Sequence, residues 1–337
     1  MRVETYKYRL LSRLGQPVGW LDNVVGGDFT GSAGAQVKWA GSLTIRDPEF
    51  EGTDWHKVLI QPVLQVAGEP DLPLGAYRVL DIDRETDEAG ETVTLELADL
   101  TSIIADTVVA ETFAVPANAL VVDTVRQIIE SAGEISTAFE PSTERLRSSM
   151  VWEPGTSKLT IINELLDAAG YFGLHADRRG VLRLEKYVPP ERRPIRHRFM
   201  PGETAIHLPE MSVARPIIRA NEVIRVSQEA ADSPALTVTV RNENPDSPYS
   251  YQAMGVWVSD FRDGVEATSQ AVLADHARRA LQVAASGAVF QRSMLTSPLA
   301  LNDVVEADGQ REAIENLRVT CTPGALMQIT SRQIGVV

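Results

Sequence analysis

The 337-residue chain reads as a β-rich α+β protein, and three observations say so. Residues 1 to about 100 carry some five or six short alternating runs, about 10–20 residues apart, the sign of a barrel or sandwich. Residues Thr156 to Tyr187 switch from a helical apolar spacing to a period of two. Beyond residue 210 alternating runs return around one long amphipathic helix.

Val3 to Leu11 alternates as a strand, Gly15-Gln16-Pro17 turns, and Val18 to Val25 returns. Gly26 to Ala35 (G-G-D-F-T-G-S-A-G-A) is rich in glycine and small residues and is expected to be a mobile loop. Gln36 to Arg46 is a strand with Val37, Trp39, Gly41, Leu43 and Ile45 on one face. Val58 to Val66 is another, and Pro62 within it argues for an edge or a bulge. Gly75 to Arg84 and Glu91 to Ala98 pair across the acidic turn Glu85 to Gly90. A short helical turn, Asp99 to Asp106, follows.

Val121 to Ala132 reads as a helix ended by Gly133, and Glu134 to Arg147 as a polar surface loop. Ser157 then caps a helix on which Leu159, Ile162, Leu166 and Ala169 share a face, and Gly170 suits its left-handed end. Phe172, Leu174 and Ala176 alternate, Asp177-Arg178-Arg179-Gly180 turns, and Val181 to Tyr187 alternates back. Five prolines and the basic run E-R-R-P-I-R-H-R make Val188 to Pro209 an irregular linker. Asn221 to Val226 and Ala235 to Arg241 are strands, Asn242 to Pro248 a turn cluster, and Gln252 to Phe261 a further strand. Thr268 to Ala285 is the long helix, with Val272, Ala280, Leu281 and Ala284 apolar. Four strands close the chain: Val289 to Leu295, Asp303 to Ala307, Ala313 to Cys321 and Leu326 to Ile334.

The net charge of −14 disfavours a nucleic-acid reader. Cys321 is the single cysteine, so no disulfide forms within the chain and no multi-thiolate zinc site exists. Its place in an alternating run makes it a buried strand residue. The N-terminus has no apolar segment of signal-peptide type, and no run reaches the ~20 apolar residues of a membrane helix, so stable membrane insertion is not expected. Lysine occurs five times and arginine 27 times, a bias that fits a GC-rich genome.

No residue is assigned to catalysis, a cofactor or a metal. His56, His175, His197, His207 and His276 are scattered without ligand spacing, and His175 and His276 read as surface residues. Asp81 and Asp83 share a strand face, and Asp260 to Asp263 resembles the start of a calcium loop. Both lack the remaining oxygen ligands. Nucleophile elbows and phosphate loops are absent from the sequence. Trp20, Trp39, Trp55, Trp152 and Trp257 are separated, which favours core packing over a sugar-binding platform.

Several segments together resemble a known family. They are S-K-L-T-I-I-N-E-L-L-D-A-A-G-Y, the D-R-R-G hairpin turn and V-P-P-E-R-R-P-I; P-L-G-A-Y with A-D-L-T-S-I-I; and N-E-V-I, N-P-D-S-P and A-R-R-A-L. Their order is similar to that of phage tail baseplate hub and tail-associated proteins, related to late control proteins and the hub part of type VI secretion spikes. The resemblance implies two β-barrel-like domains with α/β domains between them: 1–108 a first barrel, 109–150 a connecting helical segment, 151–188 a helix plus β-hairpin, 189–209 a Pro-rich linker, and 210–337 a second barrel with one long helix. It implies a homotrimeric, non-enzymatic virion protein of a siphophage tail tip, assembled in the host cytoplasm. Such a ring would meet a distal tail or tail tube protein on one side and a tip or fibre protein on the other. Phage DNA would pass without sequence-specific binding. Since many relatives continue into a fibre or a peptidoglycan-cleaving domain, lysis and receptor binding would belong to another polypeptide. The rival readings are a tail-associated peptidoglycan or peptide hydrolase and a host-surface carbohydrate-binding tail module.

Overall fold

The computed structural model describes residues 3–46, 53–88, 90–202, 205–214, 220–229, 234–284 and 287–334. The N-terminal third is all strand: β1 (Glu4–Ser12), β2 (Pro17–Leu21), β3 (Val24–Ser32), β4 (Trp39–Arg46), β5 (Val58–Val66), β6 (Leu72–Pro73), β7 (Tyr77–Asp87) and β8 (Gly90–Asp99). A mixed segment follows, with α1 (Thr101–Ala105), β9 (Phe113–Val115), α2 (Val121–Glu130), β10 (Thr137–Ala138), β11 (Met150–Trp152), α3 (Lys158–Ala168), β12 (His175–Ala176) and β13 (Leu182–Arg183). Then come β14 (Ile195–Phe199), β15 (His207–Ala214), β16 (Glu222–Ser227), β17 (Thr237–Arg241), α4 (Tyr251–Met254), β18 (Ser259–Val265) and α5 (Gln270–Ala284). The chain ends in β19 (Val289–Leu295), β20 (Val304–Ala307), β21 (Gln310–Thr320) and β22 (Leu326–Gln333).

The β-rich α+β organisation is as expected, but the barrels are not closed. Among the described residues one sheet runs β15-β19-β22-β21-β3-β4-β8-β7-β5-β1-β2, with β20 and β14 joined to the early part of β21 and β6 to β5. The two halves meet where β21 pairs with β3, from Asn316 opposite Ser32 to Thr320 opposite Asp28. A bulge at Ile314/Asn316 separates this stretch from the part of β21 that pairs with β20. The apolar core crosses the junction without a break, joining Phe29, Leu43, Leu95 and Tyr77 to Leu317, Val319, Met327 and Ile329.

The junction strand is the stretch expected to be a mobile loop. Gly27, Phe29 and Gly31 alternate along β3, and each faces a residue of complementary size on β4: Leu43, Gly41 and Trp39. A Cβ on Gly41 would lie 2.4 Å from the Asp28 carbonyl oxygen and 2.6 Å from the Phe29 ring. One on Gly31 would lie 2.6 Å from the Trp39 ring. The glycines are therefore seats for large side chains across the strand, the pairing that rescues glycine in sheets. Glycine content alone suggested a loop because the alternation was hidden by the small residues between.

Four other expectations are corrected. Residues 188–209 are not an irregular linker: β14 pairs parallel to β20, because the prolines at 189, 190, 194 and 201 bracket Ile195–Phe199 and leave its amides free. Gln252 to Phe261 begins as α4, capped by Ser250 and ended by Gly255 at φ +71°, and the strand starts only at Ser259. Within Glu134 to Arg147, β10 pairs parallel to β13. The fully buried face of α5 is Leu273, Ala277 and Leu281; of the residues expected there Leu281 is buried, while Val272 and Ala280 are partly buried at its edges. Residues 210–337 thus hold more than a second barrel: β17-β16-β18 with α5 form a separate α/β unit. The last residue of the expected Thr268 to Ala285 helix lies outside the described residues. Pro62 is met by a break in its neighbour: Leu74 donates to the Pro62 carbonyl at 2.9 Å, in the gap between β6 and β7.

The helix–hairpin segment follows its sequence signals. Ser157 Oγ accepts from the Leu159 amide at 3.2 Å, and Gly170 takes φ +75°. Asp177 Oδ1 accepts from the amides of Arg179 and Val181, and Gly180 sits at φ +80°. The hairpin tip docks on the first half of the sheet, where Gly75 N donates to the Arg178 carbonyl at 3.2 Å. A Cβ on Gly180 would meet that of Ala76 at 2.6 Å. α2 and α3 cover the hairpin's apolar side in a second core with Leu159, Ile162, Leu166, Leu182 and Leu184.

Replacing Gly41 by alanine forces backbone to move and is expected to destabilise by about 1–3 kcal/mol. Gly34→Ala, with no neighbour within 4 Å, is expected to be near neutral. Thermal unfolding of the two variants checks this. Equal midpoints would show that β3 and β4 are not held by this packing.

Candidate functional site

The residues singled out in the sequence are placed apart. Cys321 is buried, its amide donating to the Gly27 carbonyl at 2.7 Å, and burial pushes its thiol up to about 12. His276 is not a surface residue: its ring is largely covered, with Nε2 2.6 Å from the Asp167 carbonyl oxygen. His175 is half-buried near Glu185. Asp81 and Asp83 stay on an exposed strand face. Asp260 pairs with Arg225 at 2.9 Å, its Oδ2 taking a guanidinium proton. Among the described residues no group of three or more His, Cys, Asp or Glu is placed to hold a metal, and no helix is long and apolar enough to cross a membrane. Of the tryptophans, Trp152 is buried, and Trp39 and Trp55 pack against the sheet core. Trp257 stacks on Tyr251 at 4.9 Å, and Trp20 is exposed, with Lys7 and Arg9 over its ring.

Sequence reading did not find a cleft of about 1140 Å³ where the hairpin, the 298–303 turn and the β3–β4 loop converge. Eight basic and five acidic side chains line it, although the chain as a whole is at −14. Arg193 lies over the rings of Phe172 and Tyr187, at 4.8 and 5.5 Å, and donates to the carbonyls of Val188 and Asn302. Arg279 lies 3.8 Å from the Tyr187 ring centroid. Burial holds the Arg178 and Arg193 guanidiniums and the Lys38 ammonium below their usual range, and raises the Asp99 and Asp303 carboxyls. The only signal for this site was D-R-R-G, two arginines at a hairpin turn whose docking partner lies a hundred residues away.

Four of the five acidic members of the cleft are committed; the fifth, Glu185, is exposed, 4.0 Å from His175. Asp99 accepts from the amides of Trp39 and Thr101, each at 2.8 Å, and so joins β4 to α1. Asp177 holds the hairpin turn and Arg183. Asp303 accepts from the Ala300 amide and faces Arg196, and Glu315 pairs with Arg332. The basic run finds carboxylates in its own chain: Arg198 pairs with Glu306 at 2.9 Å and Arg196 with Asp303 at 3.7 Å.

Among the described residues the main path of the sheet ends on two edges. There β15 pairs only with β19, and past His207 every residue of it is exposed, including Leu208, Met211 and Val213. Pro209 and a register shift sit in its first half, where an edge tolerates them. The other edge, β2, exposes Val18 and Trp20. Open edges with apolar side chains are templates for pairing with another chain.

No known family model matches the chain, and no curated protein does. Solved structures do. A tail protein from Neisseria meningitidis MC58 matches 98% of this chain and 96% of its own, at a TM-score of 0.66 and 13% identity. The 43 kDa tail protein of prophage MuSo2 from Shewanella oneidensis matches 98% of each chain, at 0.63 and 12%. An E. coli component of the type VI secretion system, described as structurally similar to T4 bacteriophage tail proteins gp27 and gp5, matches 93% of this chain and 73% of its own, at 0.56 and 12%. The chain has the fold of these tail proteins over essentially its whole length.

Two outcomes follow from this geometry. Met211→Lys with Val213→Lys, both exposed, is expected to change thermal stability by less than about 0.5 kcal/mol while abolishing self-assembly in sedimentation; intact assembly would clear β15 of an interface role. Cys321 is expected to resist a disulfide reagent at pH 8 until the protein is unfolded. An unfolded thiol ionises near about 8.5 and the folded one near 12, so this group lowers folded-state stability as pH rises between those values. Rapid labelling of native protein would contradict the burial argument.

Proposed function

We propose that the chain is a structural phage tail protein acting as a tail-tip hub. Three copies close into a ring that joins a hexameric tail tube or distal tail protein on one side to a threefold tip or fibre on the other, with DNA leaving through the centre. The observation that carries the reading is the single sheet that crosses both halves and ends on two unpaired edges. Each half supplies one sheet segment to the ring, so three chains present six similar segments while retaining threefold symmetry. Head-to-tail contacts between unlike edges generate a closed ring when the rotation closes. The full-length likeness in fold to tail proteins and a type VI component supports it.

The protein assembles and conducts and has no catalytic role in this reading. That is supported by the cleft, where Asp99, Asp177, Asp303 and Glu315 are spent on caps, turns and ion pairs. The reading places the chain in the virion, after assembly in the host cytoplasm. The pairing of Arg196 and Arg198 within the chain removes them as candidates for subunit bridging, so the ring contacts fall to the sheet edges. A trimer carries 3 × −14 = −42 by the chain charge, and a wall of that sign lets DNA slide.

Native mass measurement of the purified protein or the particle ring is expected to give three copies, and imaging of the particle an acidic lumen. Six copies, or a stable monomer in the assembled particle, would remove the hub reading. A lumen ringed by arginines would remove the channel argument.

A further inference from the structure

The arginine-lined cleft is a built site in an acidic protein, and its cations are not all used internally. Arg178 and Arg179 project from the hairpin turn. Arg178 is partly buried and feels the charge of Asp303, and Arg179 is exposed. Arg279 Nε and Nη2 are buried without a hydrogen-bond partner, although Nη1 reaches Asp167 at 3.1 Å. Holding guanidiniums desolvated and under-paired has a cost, and an anion entering the cleft relieves it.

We propose that this cleft binds an extended acidic segment of a partner polypeptide. Two observations choose the occupant. The cations that line the cavity of about 1140 Å³ come from separate elements, Arg178 and Arg179 from the hairpin turn, Arg193 and Arg196 from the segment after it and Arg279 from α5, and not from one phosphate-binding loop. Carboxylates on alternate residues of an extended peptide, about 6.6 Å apart, match a spread array. The aromatic faces that a nucleic-acid base would stack on are already taken: Arg193 covers Phe172, and Arg279 covers Tyr187. Base stacking is a main source of single-strand affinity, so a nucleic acid gains little here.

The chain's own densest acidic stretch does not reach the cleft. Asp81, Asp83, Glu85 and Glu91 lie along the β7–β8 hairpin, whose base at Tyr77 and Asp99 lines the cavity. The hairpin runs away from it for ten residues, roughly 33 Å. That hairpin is therefore not the occupant, and the proposed one belongs to another polypeptide.

The test uses the full chain and a fluorescein-labelled nine-residue peptide of alternating glutamate and serine, read by anisotropy. Binding is expected that weakens at least tenfold between 50 and 500 mM salt, as charge pairing at a surface does (on the order of a Debye-length change from ~14 to ~4 Å). Arg178→Glu with Arg179→Glu is expected to weaken it at least tenfold, and Arg179→Glu alone, at an exposed turn position, severalfold. Arg262→Glu, exposed and outside the cleft, is expected to leave it unchanged. Excess inorganic phosphate or a nine-nucleotide oligothymidylate is expected not to displace the peptide. Absence of peptide binding, equal loss with Arg262→Glu, or tighter binding of the oligonucleotide would overturn the proposal. The oligomeric state of the double variant separates this inference from the hub reading. An unchanged state is expected, and a broken assembly would make the occupant a second copy and sink the partner assignment.

Discussion

The close approach of β3 to β4 is the constraint on which the rest of the sheet depends. Among the described residues β3 alone carries the strand pairing between the two halves, since β21 is its other neighbour. For β3 to serve both, its inward face has to seat Phe29 over Gly41 and accept Trp39 over Gly31. Phe29 then contacts the Tyr77 ring at 4.5 Å, which ties the junction to β7. On the opposite face Asp28 takes Arg318 Nε at 2.8 Å and the Thr320 hydroxyl at 2.9 Å, so both faces of the junction are fastened across the strand. Bulk at any of the three glycines would part the strands, and the two halves of the core would separate with them.

Electrostatics inside the second half work differently from those at its rim. Arg292 and Glu312 are both buried and pair in two hydrogen bonds, at 2.5 and 2.8 Å, with Ser331 completing the Glu312 oxygens. Phe199 and Phe290 lie on either side of the Arg292 guanidinium, at 5.0 and 4.7 Å. A pair so enclosed contributes little net stability, but losing one partner costs about 3–5 kcal/mol, because a bare charge is left behind. It therefore acts as a register lock: β19, β21 and β22 have a single alignment in which both charges are met. At the rim, Arg196, Arg198 and Arg332 pair in partial solvent, where each pair is worth at most about 1 kcal/mol.

Much of this was legible in the sequence, and what was not has a physical cause. The 157–187 segment was readable because its signals are local: a serine cap, a helical stripe, a left-handed glycine and an Asp-x-x-Gly turn all lie within thirty residues. β19 to β22 were readable from alternation. β3 was missed because its partner residues, not its own, explain its glycines. β14 was missed because prolines were counted over a window wider than the strand they flank. The division of the chain into two barrels and a linker was misleading for the same reason: β3, β14 and β21 are joined by pairings of high sequence separation that no local pattern encodes. The cleft was invisible because its cations come from the β3–β4 loop, the hairpin, the 190s, α5 and β22, which only the fold brings together.

The two α/β units explain why that cleft keeps its shape. Asp167, at the end of α3, receives Arg279 Nη1 on its carboxylate, while its backbone carbonyl lies 2.6 Å from His276 Nε2; both partners are on α5. Thr268 N donates to the Ala168 carbonyl at 2.9 Å, and Ser148 donates to Glu266. The unit inserted in the first half and the unit inserted in the second are thus clamped together at the end of α3. The hairpin that follows α3 is pinned at its other end by Gly75 and Ala76 on the first half of the sheet. One wall of the cleft is therefore fixed to both halves at once. Without that clamp Arg279 would lose both its place over Tyr187 and its Asp167 partner, and the wall of the cleft that α5 supplies would go with them.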